Sequence, residues 1–88
     1  MVQEIWKYTL EVFNNELEIP EGSEILDVQM QGDHPCLWAL VDPQKTREKR
    51  IFHLIGTGHP IFSSSLSYIA TVQIGHLVWH IFEESIGI

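Results

Sequence analysis

The chain has 88 residues, of which 44% are hydrophobic and 19% charged, and its formal net charge at neutral pH is −7. This length allows one hydrophobic core, so we expect a single small domain over residues 1–88. The acidic balance argues against nucleic acid as a general partner, because phosphate contacts require a basic surface. A single cysteine, Cys36, excludes an internal disulfide and therefore a cross-linked secreted scaffold.

The amino-terminal residues and the apolar runs predict where the protein acts. Met1-Val2-Gln3-Glu4 lacks the basic segment and apolar run of a signal peptide. No apolar stretch approaches the roughly 18 residues that span a bilayer. We therefore expect an intracellular protein that does not contact membranes. A core this small supplies only about 3–5 kcal/mol, which favours a homo-oligomer as the source of further stability.

The first part of the chain alternates between apolar and polar residues with period two, which is typical of strands. Glu4–Phe13 is predicted as the first strand. Its buried face would carry Trp6, Tyr8, Leu10 and Val12. Asn14-Asn15 is predicted to turn the chain, since Asn tolerates a positive φ. A short second strand, Leu17–Ile19, is expected to end at Pro20, and Glu21-Gly22 forms the next predicted turn.

The middle of the chain predicts two more strands. Glu24–Gln31 is the third, with Leu26, Val28 and Met30 on its buried face. Gly32-Asp33-His34-Pro35 is predicted as a turn. Cys36–Val41 is apolar on both faces, which is typical of a central strand covered on each side, and Asp42-Pro43 is expected to end it.

A basic loop follows, and it holds four of the five basic residues: Lys45, Arg47, Lys49 and Arg50. It is predicted to lead into a strand over Arg50–Ile55. Gly56-Thr57-Gly58-His59-Pro60 then opens an irregular stretch that reaches about Ser67, although Ser64–Ala70 is also compatible with a helical turn. Irregular segments of this length often carry function.

The last two strands form the best-defined predicted element. Gly75-His76 has glycine where a type II′ hairpin turn requires it. The pairs on one face would be Ile74–Leu77, Val72–Trp79 and Ala70–Ile81, and those on the other Gln73–Val78, Thr71–His80 and Ile69–Phe82. In total the pattern predicts a mainly β fold, a small single-domain antiparallel meander, sandwich or partly open barrel of about seven strands.

Histidines do not combine into a predicted metal site. His76 and His80 have the spacing of zinc ligands on a helix, but on a strand they lie about 13 Å apart. Zinc–nitrogen bonds are close to about 2 Å, so one ion cannot join them. We therefore expect no metal and no cofactor.

Catalytic groups are also poorly arranged. Cys36 lies in an apolar strand, where burial keeps a thiol inert. Ser63, Ser64 and Ser65 have no acidic residue nearby to orient a base. Glu83-Glu84 would point to opposite faces of a strand, so they do not form an acid–base pair. The sequence predicts a protein that is not an enzyme.

The residues that could bind a ligand centre on the glycine-rich segment. Gly56-x-Gly58 lacks the third glycine and the following helix of a dinucleotide site. Two readings stay open: a loop whose glycines take positive φ, or a site in which amides of Gly56, Thr57 and Gly58 and the imidazole of His59 contact a small polar ligand.

Charged and aromatic residues elsewhere complete that hypothesis. Arg47 and Arg50 offer bidentate contacts to phosphate, although a basic loop is also typical of a solvated hairpin tip. Trp38 or Tyr68 would stack on a base, although three tryptophans in a chain of this length are more typical of the core.

Two motifs carry a family resemblance: Cys36-Leu37-Trp38-Ala39-Leu40-Val41-Asp42-Pro43 and Gly56-Thr57-Gly58-His59-Pro60. With Ile5-Trp6-Lys7-Tyr8 and Ile25-Leu26-Asp27-Val28-Gln29, they make the chain resemble a family of short uncharacterised proteins of phages and prophages. Phe62–Ser65 departs from the more acidic or proline-containing stretch expected after Pro60. The resemblance implies a phage accessory protein in the host bacterial cytoplasm and brings no catalytic residues.

Three functions follow as hypotheses. The first is counter-defence by a homo-oligomer that sequesters a small anionic, nucleotide-derived host immune signal, such as a cyclic nucleotide or an ADP-ribose-like molecule. The second is an acidic inhibitor of a host defence protein, acting through Glu4, Glu11, Glu16, Glu18, Glu21 and Glu24. The third is a structural phage component.

Overall fold

The computed structural model describes residues 2–85, which form seven strands in two antiparallel sheets and contain no helix. The strands are β1 (Glu4–Thr9), β2 (Phe13–Pro20), β3 (Glu24–Gln31), β4 (His34–Val41), β5 (Arg47–Gly56), β6 (Leu66–Ile74) and β7 (Leu77–Glu84). One sheet has the order β1-β4-β3 and the other the order β2-β5-β7-β6. The predicted fold class is confirmed. Within residues 2–85 there is accordingly no helix with the length and apolarity to cross a membrane.

The core lies between the two sheets. Alternation places every second side chain of each strand on the inner face. The three-stranded sheet and the β1–β2 link contribute Leu10, Val28, Leu37, Ala39 and Val41, and the four-stranded sheet contributes Phe52, Leu54, Val72, Trp79 and Ile81. At one side, β3 contacts β6 and brings the edges of the two sheets together.

The chain passes from one sheet to the other between β1 and β2, where the predicted turn was wrong. Asn14 and Asn15 lie inside β2, and the change of direction falls at Phe13, whose φ is +77°. The side chain of Asn15 is buried and exchanges hydrogen bonds with the backbone of Glu11, at 2.7 and 2.8 Å. The predicted first strand therefore ends at Thr9, and Val12 is exposed.

A bulge in β3 changes its predicted faces. Ile25 pairs with Ala39 and Asp27 pairs with Trp38, so Leu26 is the extra residue. Ile25 packs against the core and Leu26 is exposed, contrary to the prediction that Leu26 is buried. A bulge inserts one residue and so moves the side chains before it to the opposite face.

Strand β4 is central in its sheet, as predicted. Leu37, Ala39 and Val41 are buried on its inner side. Trp38 and Leu40 point outward and are only half-buried, so the expected cover on the second face is incomplete within residues 2–85.

The β6–β7 hairpin confirms most of the predicted register. Ile74 pairs with Leu77 across a turn in which Gly75 has a φ of +61° and His76 a negative one, as a type II′ turn requires. A bulge at Ile69 ends the agreement, because Tyr68 and not Ile69 pairs with Phe82. Residues 66–70 form strand and not the alternative helical turn.

Candidate functional site

The site is formed where the connection between β5 and β6 returns across the four-stranded sheet. Both strands pair antiparallel with β7, so they run in the same direction, and residues 57–65 must travel back along the sheet. A groove of about 370 Å³ lies between this connection, β5 and the start of β2. We call it the β5–β6 groove. Its apolar wall consists of Phe13, Leu54, Ile55, Ile61, Phe62 and Leu66.

The inner end of the groove is built on Gly56 and His59. The backbone N–H of His59 donates to the carbonyl of Gly56 at 3.0 Å, and Gly58 takes a φ of +87° within this tight turn. The imidazole then lies directly over Gly56, edge-on to Trp79 at 6.0 Å between ring centroids. Phe13 contacts the same tryptophan edge-on at 5.7 Å.

The other end of the groove is polar. His53 and Asn14 are register partners on β5 and β2, and His53 Nδ1 lies 2.7 Å from Asn14 Oδ1. His53 Nε2 lies 3.0 Å from Glu84 Oε1. The imidazole is thus held between an amide and a carboxylate, which fixes its ring plane and places a negative charge at the groove.

A second histidine, His80, lies beside the groove in a series of hydrogen bonds on the outer face of the sheet. His80 Nε2 is 2.8 Å from Thr57 Oγ1, and His80 Nδ1 is 3.0 Å from Thr71 Oγ1. The Thr71 hydroxyl is also 2.7 Å from the hydroxyl of Tyr68. Both ring nitrogens of His80 are therefore occupied by hydroxyl groups.

The glycine-rich segment predicted from the sequence contributes only in part to this groove. Of Gly56, Thr57, Gly58 and His59, only the His59 side chain lines it. The N–H of Thr57 donates to the carbonyl of Val78 at 3.1 Å and so holds the start of the connection.

The two predicted phosphate-binding arginines make internal contacts. Arg50 Nε and Nη2 donate to the carboxylate of Glu83 at 2.5 and 2.7 Å, and its Nη1 donates to the carbonyl of Ser23 at 2.6 Å. The hydrogen bond to Glu83 raises the pKa of Arg50 further above its usual value. Arg47 lies in β5 and not in the preceding loop; it stacks over Trp6 at 4.9 Å and donates to the carbonyls of Pro43 and Lys45.

The two predicted stacking aromatics lie on different surfaces. Tyr68 is on the outer face of the four-stranded sheet, edge-on to Phe82 at 5.7 Å. Trp38 is on the outer face of the other sheet. Arg50 and Gly56 are six positions apart on β5, a distance of about 20 Å. The predicted site residues therefore do not assemble into one pocket.

Of the residues that line the groove, sequence reasoning singled out only His59 and missed, among others, Phe13, Asn14, His53, Phe62 and Glu84. Phe62 gave a usable signal, because an aromatic residue between a proline and three serines has no predicted strand to pack on. The contact of His53 with Asn14 and Glu84 joins three strands and gave no local signal.

Potential metal ligands and nucleophiles do not gather at the groove. No group of three or more His, Cys, Asp or Glu side chains suited to a metal occurs within residues 2–85. Cys36 is buried on β4, with its sulfur 3.7 Å from the carbonyl of His34. The chemistry available at the groove is apolar contact, hydrogen bonding and the charge of Glu84.

Comparisons with known proteins identify the family. No curated protein and no solved structure matches the chain. A family model described as a domain of unknown function, DUF7352, matches residues 1–87. The chain belongs to this uncharacterised DUF7352 family.

Proposed function

We propose that the protein is a non-enzymatic binding protein whose β5–β6 groove captures a basic segment of a partner protein. An apolar or aromatic side chain of the partner enters the groove, and flanking cations face the carboxylates around it. The observation that carries this proposal is the exposed apolar wall beside Glu84. Phe62 is 95% exposed and Phe13 60% exposed. Apolar patches with polar rims are typical of interaction sites.

The charges near the groove favour a cationic partner. Glu16 and Glu18 follow Asn14 on the same outer face of the edge strand β2, since the period along a strand is two. Glu84 stands at the polar end of the groove. Arg47 and Arg50 are held by internal contacts, and the whole chain carries −7. Complementary charge accelerates association and selects partners of the opposite sign.

The resemblance to phage proteins supports a biological setting for this activity. In this proposal the protein is a phage accessory protein in the host bacterial cytoplasm, and its partner is a basic protein of host defence. The six glutamates singled out from the sequence, including Glu16 and Glu18, are all exposed, and Glu16 lies 3.9 Å from the exposed Lys49.

A labelled peptide with one phenylalanine between arginines tests the proposal by fluorescence anisotropy. We expect binding that weakens steeply with salt. Phe62→Ser and Glu84→Gln should each weaken it about tenfold. Val2→Ser, which removes an exposed apolar side chain just before β1 of the other sheet, should leave it unchanged. Binding that is insensitive to salt, or equal in Phe62→Ser and the unmodified protein, contradicts the proposal.

A small nucleotide-derived ligand is the second candidate, and the combination of two histidines with two phenylalanines in one groove favours it. Phe13 and Phe62 would stack on a base, and a ring N–H of His59 would donate to phosphate. Isothermal titration against cyclic oligonucleotides and ADP-ribose derivatives tests this candidate. Heat that is lost in His59→Ala supports it, and no heat with any of these compounds rejects it.

A further inference from the structure

The outer face of the β1–β4–β3 sheet presents a continuous apolar surface. Ile5 on β1 is 62% exposed and Leu26 on β3 is 43% exposed. Trp38 lies between them on β4, and these three side chains share a shallow hollow of about 340 Å³. Leu40, also half-buried, extends the surface beside Ile5, its register partner. Among residues 2–85, no strand packs over this face.

Opposite charges stand on either side of the tryptophan. Lys7 on β1 and Asp27 on β3 are both register partners of Trp38, so the three residues form one row across the sheet. Adjacent strands are about 4.8 Å apart, which separates Lys7 from Asp27 by roughly 10 Å along that row. The face is thus apolar at its centre, with Lys7 on one edge strand and the carboxylates of Asp27 and Glu24 on the other. The ammonium group of Lys7 donates to Gln31 Oε1 at 2.6 Å within the same chain.

This arrangement is complementary to itself. A two-fold axis parallel to β4 and above it lays β1 of a second copy over β3 of the first. Lys7 then faces Asp27 of the second copy, and Asp27 faces its Lys7. Ile5 of each copy lies over the row of Leu40 and Glu24 of the other, beside the bulge at Leu26, and the two Trp38 rings meet at the axis. A two-fold axis across the strands would instead oppose like charges, which is unfavourable.

We infer that this face binds a second copy of the chain and forms a two-fold symmetric dimer. The row of Lys7, Trp38 and Asp27 favours this occupant, because it meets its own complement in an otherwise acidic molecule. On dimerisation the ammonium group of Lys7 exchanges its contact with Gln31 for Asp27 of the second copy. Three strands of six to eight residues give a planar footprint of roughly 300 Å² on each copy. Such a footprint is smaller than that of specific, stable interfaces, so we expect a weak dimer that forms only at high protein concentration. The face lies on the opposite sheet from the β5–β6 groove, which makes dimerisation and groove binding separately testable.

Sedimentation velocity over a concentration series measures the dimer. We expect Ile5→Lys to raise the dissociation constant by at least about tenfold. Leu77→Lys introduces the same charge at a leucine of 61% exposure on the β6–β7 hairpin and should leave the constant unchanged. Circular dichroism verifies that both variants remain folded. A protein that stays monomeric at about 100 μM, or a dimer that tolerates Ile5→Lys, overturns the inference.

Charge exchange tests the proposed symmetry itself. Lys7→Asp alone opposes two carboxylates at each contact, and Asp27→Lys alone opposes two ammonium groups, so each variant should be monomeric. An equimolar mixture of the two variants restores opposite charges at both contacts, and we expect a heterodimer. If the mixture stays monomeric while both variants are folded, or if either variant alone still dimerises, the two-fold arrangement is wrong.

Discussion

The imidazole of His59 occupies the space that a side chain on residue 56 would fill. A Cβ atom on Gly56 would lie 2.9 Å from both Cε1 and Nδ1 of His59. The glycine is therefore needed for the position of the histidine, and its own φ is not positive. The side chain of His59 is exposed, so it can move away from a Cβ atom at residue 56 at low cost.

We predict that Gly56→Ala displaces His59 with little effect on stability. The free energy of unfolding should change by less than about 1 kcal/mol, since alanine suits the strand conformation. The indole N–H resonance of Trp79 should shift, because His59 leaves its edge. His59→Ala provides the matched control and should give a similar shift. An unchanged Trp79 resonance in Gly56→Ala would contradict the close packing of these residues.

Arg50 and Glu83 form the strongest ion pair of the described chain and link the β2–β3 turn to β7. Their side chains are 16% and 24% exposed. Removing one partner leaves a largely desolvated charge, so Glu83→Gln should lower the free energy of unfolding by about 2–4 kcal/mol. Urea unfolding measures this. Glu16→Gln, in the exposed pair with Lys49, is the control and should cost under about 0.5 kcal/mol. Equal effects of the two substitutions would refute a structural role for Arg50.

The hydroxyl of Tyr8 is buried without a hydrogen-bond partner. Tyr8→Phe should therefore raise the free energy of unfolding by about 1 kcal/mol. Burial also raises the pKa of Tyr8, an effect partly opposed by the nearby Arg47 charge. The Tyr8 hydroxyl therefore loses its proton at a lower pH in the unfolded chain than in the folded protein. The free energy of unfolding consequently falls as the pH rises above about 10.

Unfolding of Tyr8→Phe at neutral and alkaline pH tests both statements. The variant should lose less stability at high pH than the unmodified protein. Tyr68→Phe serves as the control, since Tyr68 is exposed and its hydroxyl is bonded to Thr71. A destabilised Tyr8→Phe would show that the hydroxyl has a partner in solution.

The turn at Gly75 provides a test of backbone conformation. Its φ of +61° is unfavourable for residues with a Cβ atom, and Gly75→Ala should cost about 1–2 kcal/mol. Gly56→Ala is the matched control, because it makes the same replacement at a residue without positive φ. Thermal unfolding of both variants decides this, and equal melting temperatures would contradict the type II′ turn.

Agreement between sequence and structure is best where local chemistry and the apolar pattern coincide. Gly75-His76 demands one turn type, and the alternation on both sides then determines the register up to Ala70. At two bulges, Leu26 and Ile69, the prediction of which side chains share a face was wrong. A bulge depends on the partner strand, and the alternation of a single strand does not reveal it.

The functional residues were harder to predict, because their neighbours come from distant parts of the chain. His53 meets Asn14 and Glu84, 39 and 31 residues away. The sequence around Arg50 predicts an arginine that is free to bind phosphate. In the structure its guanidinium donates hydrogen bonds to Ser23 and Glu83 instead. A charged side chain on a strand can bind a ligand only if residues on the neighbouring strands do not already pair with it.

Sequence alone determined a single acidic β domain, the extent of β3 and β7 to within a residue or two, and a two-residue turn at Gly75. These properties depend on backbone preference and on the alternation of side chains, which are local. Only the tertiary structure decided how β1 and β2 divide between two sheets, which face of β4 stays exposed, and which charges are neutralised. Those outcomes depend on which strands become neighbours, and strand pairing joins residues whose separation along the chain carries no periodic signal.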